Sequence, residues 1–229
     1  MKIAIVGYGK MGRMIESLAT SRGIEVALKL DEFNNISFEG ITPENFKGID
    51  VAIEFSTPAT VVGNIERISK LGVNTVIGTT GWHNQIDRVR GIVESCDTGA
   101  VWSPNFSIGV NVFFRIVNQA AKLLASEPEY EAWAWEIHHS AKKDAPSGTL
   151  LKLIDQMKQA GYERPIDIGS NRAGANPGTH EIGFDSAADT ITLRHTARSR
   201  EGFALGAIKA AQWVAGKKGF FEFKQVLFG

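Results

Sequence analysis

KIAIVGYGKMGRMI, residues 2–15, decides the architecture of this chain. Ile3–Val6 is a short apolar run that ends at glycine, which reads as a strand buried on both faces of a parallel sheet. Gly7-Tyr8-Gly9-Lys10-Met11-Gly12 follows at once, and a helical pattern then runs to about Arg22. A strand, a G-x-G-x-x-G turn and a helix form a dinucleotide-binding unit when an acidic residue closes the next strand. Val26–Leu30 supplies that strand, and Asp31 stands 19 positions beyond Gly12. In this setting Gly7 makes the tight turn, Gly9 lets the backbone approach a pyrophosphate, and Gly12 lets the helix pack on the strand. The helix start adds free N–H groups and the positive end of its dipole. Asp31 is placed to accept hydrogen bonds from the adenosine ribose hydroxyls, which favours NADH. Lys10, Arg13 and Lys29 are cations that could instead hold a 2′-phosphate, so NADPH stays open.

Further along, Val51–Phe55, Thr75–Ile77 and Gly99–Trp102 are three more apolar strands, separated by helical stretches near 59–71 and 85–95. This rhythm predicts βαβ units in a doubly wound sheet, with ligand-bearing loops at the carboxyl ends of the strands. Gly78, Thr79 and Thr80 fall on one such loop, and Ser103, Pro104, Asn105 and Phe106 on another, where ribose and nicotinamide would lie. Ordinary turn chemistry accounts for the same residue types. After a helical stretch at 108–125 the pattern changes. Glu131–Ile137, Thr179–Asp185 and Thr190–Thr196 read as strands of an open mixed or antiparallel sheet, and 171–178 as a loop. Residues 203–215 form an Ala-rich helix, and Gly219–Phe223 a last strand returning to the first domain.

Bulk composition narrows the function class. The chain has 229 residues, 43% of them hydrophobic and 22% charged, which suits a globular protein with a substantial core. Lys+Arg and Asp+Glu both total 25, so no overall field favours nucleic acid. One cysteine, Cys96, excludes an internal disulfide framework and suits a reducing cytoplasm. No apolar run spans a bilayer and no signal-peptide pattern opens the chain, so a cytoplasmic location and no membrane partner are expected.

The chemistry concentrates in EIHHSAKKDAPSGT, residues 136–149. A histidine suits proton transfer near neutral pH. His138 and His139 would face opposite sides of a continued strand, so both serve one site only if the strand stops there. Lys142 and Lys143 could pair with carboxylates, or one could donate a proton. Ser147, Gly148 and Thr149 open a helical pattern and offer N–H groups to an anion. A plain helix cap beside a solvated charge run fits the same residues. His138, His139, Asp144, His180 and His195 could be imagined around a metal, but adjacent histidines are poor chelating neighbours and no H-E-x-x-H or C-x-x-C spacing exists, so no metal is expected. Ser147 lacks a G-x-S-x-G elbow and Cys96 a paired base, which argues against covalent catalysis.

The run Glu136-Ile-His-His-x-x-Lys142-x-Asp-Ala-Pro-Ser-Gly-Thr149 resembles the signature of the dihydrodipicolinate reductases of lysine and diaminopimelate synthesis. Gly7–Arg13, Gly78-Thr79-Thr80, Pro104–Ser107, Arg172-Ala-Gly, Gly178–Phe184 and His195–Arg200 extend the resemblance along most of the chain. It implies an α/β protein with an N-terminal Rossmann-type parallel-sheet domain, 1–107 with 200–229. A smaller α+β domain with an open mixed sheet, 108–199, would bind substrate and form a homotetramer. It implies NADH or NADPH as cofactor and a small dicarboxylate as substrate, with His138 as proton donor or acceptor and Lys142 as proton donor. His139, Gly148 and Thr149 fall at substrate-binding positions. The chain departs from the pattern between Asp31 and Asp50, where the second crossover is a stub that leaves the adenosine side less covered. A dehydrogenase for another carboxylated substrate, or a nucleotide-binding protein without turnover, are the alternatives.

Overall fold

The structure, a computed structural model, describes all residues from Met1 to Gly229. The chain folds as two compact units, 1–108 with 201–229, and 109–200. The first is built on six parallel strands: β1 (Lys2–Val6), β2 (Glu25–Leu30), β3 (Val51–Glu54), β4 (Asn74–Ile77), β5 (Gly99–Trp102) and β10 (Gly219–Glu222). Their order is β10-β5-β4-β3-β1-β2, so the winding reverses between β1 and β3. Alternate residues explain why these runs are apolar throughout. Ile3, Ile5, Val51, Ile53, Val76 and Val101 face α1 (Lys10–Thr20) and α6 (Glu201–Val214). Ala4, Val6 and Ala52, and further along Ile77 and Ala100, face the other side, where Val61, Val62 and Ile65 of α2 (Val61–Lys70) and Val89 and Val93 of α3 (Ile86–Ser95) pack. Each fully buried Val or Ile contributes about 1.5–3 kcal/mol relative to an exposed one.

Helix α6 lies close because its contact face is small: Ala204, Ala207, Ala210 and Ala211 are fully buried. At Gly206 a β-carbon would stand 1.8 Å from the carbonyl oxygen of Phe106. The C-terminal strand expected at 219–223 is β10, which pairs with β5 as the sheet edge, and the chain then closes with a short helix, α7 (Phe223–Phe228), that sequence periodicity did not reveal.

The second unit has two layers. A sheet of order β7-β6-β8-β9 is formed by β6 (Glu131–His138), β7 (Ile166–Arg172), β8 (Thr179–Asp185) and β9 (Thr190–Thr196). Only β6 and β7 run parallel. One face carries Ala132, Ala134, Ile182 and Phe184 against Phe113, Val117 and Ala121 of α4 (Ile108–Leu124) and Leu150, Leu153 and Met157 of α5 (Gly148–Gln159). The other face carries Trp133 and Trp135, each lying over a glycine of the neighbouring strand. A β-carbon on Gly183 would meet Trp133 at 2.1 Å, and one on Gly169 would meet Trp135 at 2.8 Å. Strand β7 went unread in the sequence, and Asn171 and Arg172, expected in a loop, are its last two residues.

Candidate active site

In the first unit the glycine loop leaves β1, and a cavity of about 450 Å³ opens at the carboxyl ends of β1, β3 and β4. Gly7, Gly9, Lys10, Met11, Phe55, Ser56, Pro58, Gly78, Thr79 and Thr80 line it. Three glycines do different work. Gly7 has φ +96°, and a β-carbon there would stand 2.2 Å from the Phe55 carbonyl oxygen. A β-carbon on Gly12 would lie 2.7 Å from the Gly7 oxygen, so the missing side chain lets α1 sit against the turn. At Gly9, the N-cap of α1, nothing lies within 4 Å of a β-carbon position. That open backbone at a helix start suits a bridging diphosphate.

The floor of the cavity is held by Glu54. Burial pushes its carboxyl up, against donors from Ser56, Thr79 and Asn64. Ser56 N–H and Asn64 Nδ2 each donate to its Oε1 at 3.2 Å. Tyr8 lies outside the lining. Its hydroxyl donates to Glu16, with Arg13 and Lys29 over its ring at 5.4 and 5.2 Å. Lys29 Nζ binds Glu16 at 2.9 Å. Asp31 also lies outside it, just past the strand end where the Gly7 and Tyr8 amides donate to the Leu30 carbonyl. Its Oδ1 takes the N–H groups of Phe33 and Asn34 at 2.9 and 3.2 Å. Ser103, Pro104, Asn105 and Phe106 are not in the lining either. Ser103 and Asn105 bond within their own loop, and the Phe106 ring belongs to the core, 4.8 Å from Phe223.

In the second unit the stretch 136–149 folds around a fully buried carboxylate. Strand parity puts Glu136 and His138 on the helix-covered face, and the register sets His180 of β8 beside Glu136, with His195 of β9 next to it. Ser147 gives Glu136 its N–H at 2.8 Å and its hydroxyl. Ser170 Oγ donates at 2.8 Å and Arg172 Nη2 at 3.0 Å. Burial alone would raise the carboxyl, but the serine and arginine donors outweigh it and hold Glu136 at about 2. Arg172 also donates to the Asp144 carbonyl, which ties the 139–146 loop to the same anion.

Strand β6 ends at His138, and Lys142 N–H donates to the His139 carbonyl as the chain turns. His138 Nδ1 is buried and lies 3.3 Å from Glu136 Oε2, not aligned for a full hydrogen bond. Its Nε2 lies beside Gly178, where a β-carbon would come within 2.8 Å, so only glycine (φ +139°) leaves the ring its space. Burial lowers the His138 pKa first, Glu136 and Asp144 oppose that, and Lys142 and Arg172 reinforce it. Lys142 Nζ holds the Asp144 carboxylate at 2.8 and 3.0 Å. Ser147 caps α5 by accepting from Leu150 N–H at 3.2 Å. Its N–H and hydroxyl are therefore engaged inside the protein, whereas Gly148 is exposed and Thr149 half-buried at the helix start. Glu136, His138 and His180 bring donor atoms within 4.8 Å of one another. The guanidinium and hydroxyls already on that carboxylate make it a hydrogen-bonded anion, poorly suited to a cation.

Sequence reasoning brought out His138, Lys142, Gly148 and Thr149 but passed over Glu136, Ser170, Arg172 and His180 as a group. The two-residue step from Glu136 to His138 on a strand was the available signal. The group has a measurable consequence. Burial, aided by the neighbouring His138, holds His180 at about 4, below the ordinary 6.5. Between pH 6.5 and 4 the unfolded chain therefore binds a proton that the native chain refuses, and stability falls as pH falls. Glu136 adds to the loss at lower pH, since an unfolded carboxylate protonates near 4.5 and this one near 2. Melting followed from pH 7 to pH 4 is expected to show a steep loss of Tm that His180→Gln flattens above pH 4.

Residues 1–106 match the family described as dihydrodipicolinate reductase, N-terminus, and 109–227 match dihydrodipicolinate reductase, C-terminus. The chain is 38% identical to a 4-hydroxy-tetrahydrodipicolinate reductase of Christiangramia forsetii, covering 99% of this chain and 98% of that one. It is 34% identical to the enzyme of the same name from Archaeoglobus fulgidus, over 99% and 100%. A dipicolinate-bound dihydrodipicolinate reductase from Paenisporosarcina sp. TG-14 shares the fold with a TM-score of 0.81 at 24% identity, covering 99% of both chains.

Proposed function

Because the chain belongs to the dihydrodipicolinate reductase family, it is an oxidoreductase that uses NAD(P)H, and we propose that it reduces 4-hydroxy-tetrahydrodipicolinate to tetrahydrodipicolinate in lysine and diaminopimelate synthesis, with NADH preferred. The observation that carries this reading is the second unit's site, where a histidine and a lysine stand by the start of α5. The substrate takes up one hydride and one proton, and its 4-hydroxyl leaves as water. When bound, the reduced nicotinamide supplies the hydride. The protein's own part is to hold a dicarboxylate and deliver the proton. Gly148, whose N–H now meets the Asp144 carboxylate, and Thr149 at the start of α5 receive a substrate carboxylate, with His139 as a further substrate contact. Lys142 Nζ, now on Asp144, is a cation that can turn to that carboxylate or give its proton. His138 Nε2 is the second proton carrier.

The first unit fits a dinucleotide, with Gly7, Gly9 and Gly12 shaping the turn, the α1 start facing the cavity, and Lys10, Met11, Gly78, Thr79 and Thr80 on its walls. Preference for NADH rests on Asp31 at the end of β2 and on Glu16, which occupies Lys29, a cation that a 2′-phosphate would need. The domain roles follow, with 1–107 and 200–229 binding the dinucleotide and 108–199 binding substrate and forming the homotetramer. The open sheet face bearing Trp133, Trp135 and the Glu181–Arg194 pair, with a groove of about 540 Å³, supports that assembly. No helix is long and apolar enough to cross a membrane. We place the enzyme in the cytoplasm, which suits a chain with one cysteine.

The test is oxidation of NADH or NADPH by the purified protein, with substrate generated from pyruvate and aspartate semialdehyde by a synthase. Oxidation that depends on the synthase is expected. Its absence with an active synthase, alongside measurable NADH binding, overturns the reading. In fluorescence titrations Asp31→Ala is expected to weaken NADH more than NADPH, and an equal loss for both removes Asp31 from the ribose.

A further inference from the structure

We propose that Glu136 is a positioning residue for this site: it selects the Nδ1–H tautomer of His138, so that Nε2 carries the exchanged proton, and it ties that ring to the start of α5. The inference rests on the role given to His138 above and adds what decides which ring nitrogen works. A neutral imidazole has one N–H, and the partner facing one nitrogen determines the chemistry of the other.

Four groups donate to the Glu136 carboxylate: Ser147 N–H and hydroxyl, the Ser170 hydroxyl and Arg172 Nη2. His138 Nδ1, 3.3 Å away, is buried and meets no other acceptor. A bare Nδ1 would set two lone pairs against each other there, whereas an N–H points at an anion. The charged and titratable groups facing His138 are Glu136 on its own strand, Lys142 and Asp144 in the following turn, Arg172 on β7 and His180 on β8. Among them only Glu136 meets Nδ1. On the far side of the ring Nε2 lies against Gly178, where a β-carbon would come within 2.8 Å. The contact is long for a hydrogen bond, as contacts of catalytic groups often are before ligand binds. Through Ser147 the same carboxylate holds the cap of α5, so ring and helix start share one anchor.

A purely structural Glu136, serving only as the partner of Arg172, would leave the His138 tautomer alone. Nitrogen NMR of protein labelled with [15N]histidine separates the two, with His138→Asn assigning the resonance. In the native protein the neutral ring is expected to show a protonated Nδ1 and a bare Nε2. Glu136→Gln is expected to shift the ring toward the Nε2–H form and to lower its pKa, because the anion that favoured the cation is gone. The limb of the kcat pH profile that reports the acid then moves to lower pH, and kcat falls about 10–100-fold with KM little changed, the range in which groups that orient a reacting residue act. Glu136→Asp, which keeps the charge, is expected to restore part of both, and it carries the test if Glu136→Gln does not fold. An unchanged tautomer in Glu136→Gln, judged folded by its melting curve, overturns the proposal. A changed tautomer with an unmoved kcat profile overturns the role of His138 instead, and with it the claim that this positioning serves the reaction.

Discussion

His138→Ala lowers kcat by about 10²–10⁴-fold, the range of a lost general acid, while NADH affinity measured by fluorescence stays at the native value. The two results are tied to different units: the ring is held on β6 in the second, and the glycine-loop cavity is built wholly from residues 7–80 of the first. A protein that only binds nucleotide would lose neither property, and a variant that misfolds would lose both. Lys142→Ala is expected to fall as far, and the two can be told apart by pH. His138 is held below its ordinary pKa, chiefly by burial, so its protonated fraction grows as pH drops and kcat carried by it rises toward acid. His138→Ala loses that rise, whereas Lys142→Ala keeps it at a lower level. Added imidazole is expected to restore part of the first variant's activity, and methylamine part of the second's. Equal profiles for both variants would mean that neither side chain delivers the proton.

The second large effect is on stability. Gly206→Ala is expected to lower Tm by about 10 °C, from a loss of about 3 kcal/mol, because its β-carbon would fall 1.8 Å from the Phe106 carbonyl. Neither neighbour yields cheaply: one is the backbone of the 103–107 loop, and the other is a helix whose alanines are sealed against β3, β4 and β5. Gly91, on the exposed side of α3, is the control. A β-carbon there meets nothing within 4 Å, and Gly91→Ala is expected to stabilise by about 0.5–1 kcal/mol through helix propensity and unfolded-state entropy. Thermal melts of the two variants, opposite in sign, check the packing of α6. Similar small shifts in both would show that α6 does not sit so close.

Those two glycines look alike in sequence, and the contrast shows where reading from sequence stops. The central strands of the first sheet were legible because burial on both faces leaves no polar residue in Val51–Ile53 or Val76–Ile77. Strand β7 was not, since Ile166–Arg172 lies at a sheet edge with Asp167, Ile168, Ser170 and Asn171 exposed, and Ile166 and Ile168 are its only large apolar residues. Helix α7 was hidden because a six-residue helix is too short to show a period. In the site, His138 and Lys142 were visible as residue types suited to a proton. The meeting of Arg172 and His180 on Glu136 was not, because only the register of β6 with β7 and β8 brings residues 36 and 44 positions away onto one carboxylate. The residue type of Phe106 says nothing of its ring's direction, which packing against Phe223 turns into the core.

The first unit is interrupted in the chain, with 1–108 on one side of the second unit and 201–229 on the other. A ribosome must therefore release all of residues 109–200 before the sheet that was started first receives α6 and its edge strand β10. Until then Ile53, Val76 and Val101, on the strands that α6 covers, present an apolar face to the cell, while the second unit is already contiguous and free to fold. The last 29 residues act as the closing piece of the molecule. A nascent chain stalled before them is one that chaperones must hold and proteases find easily.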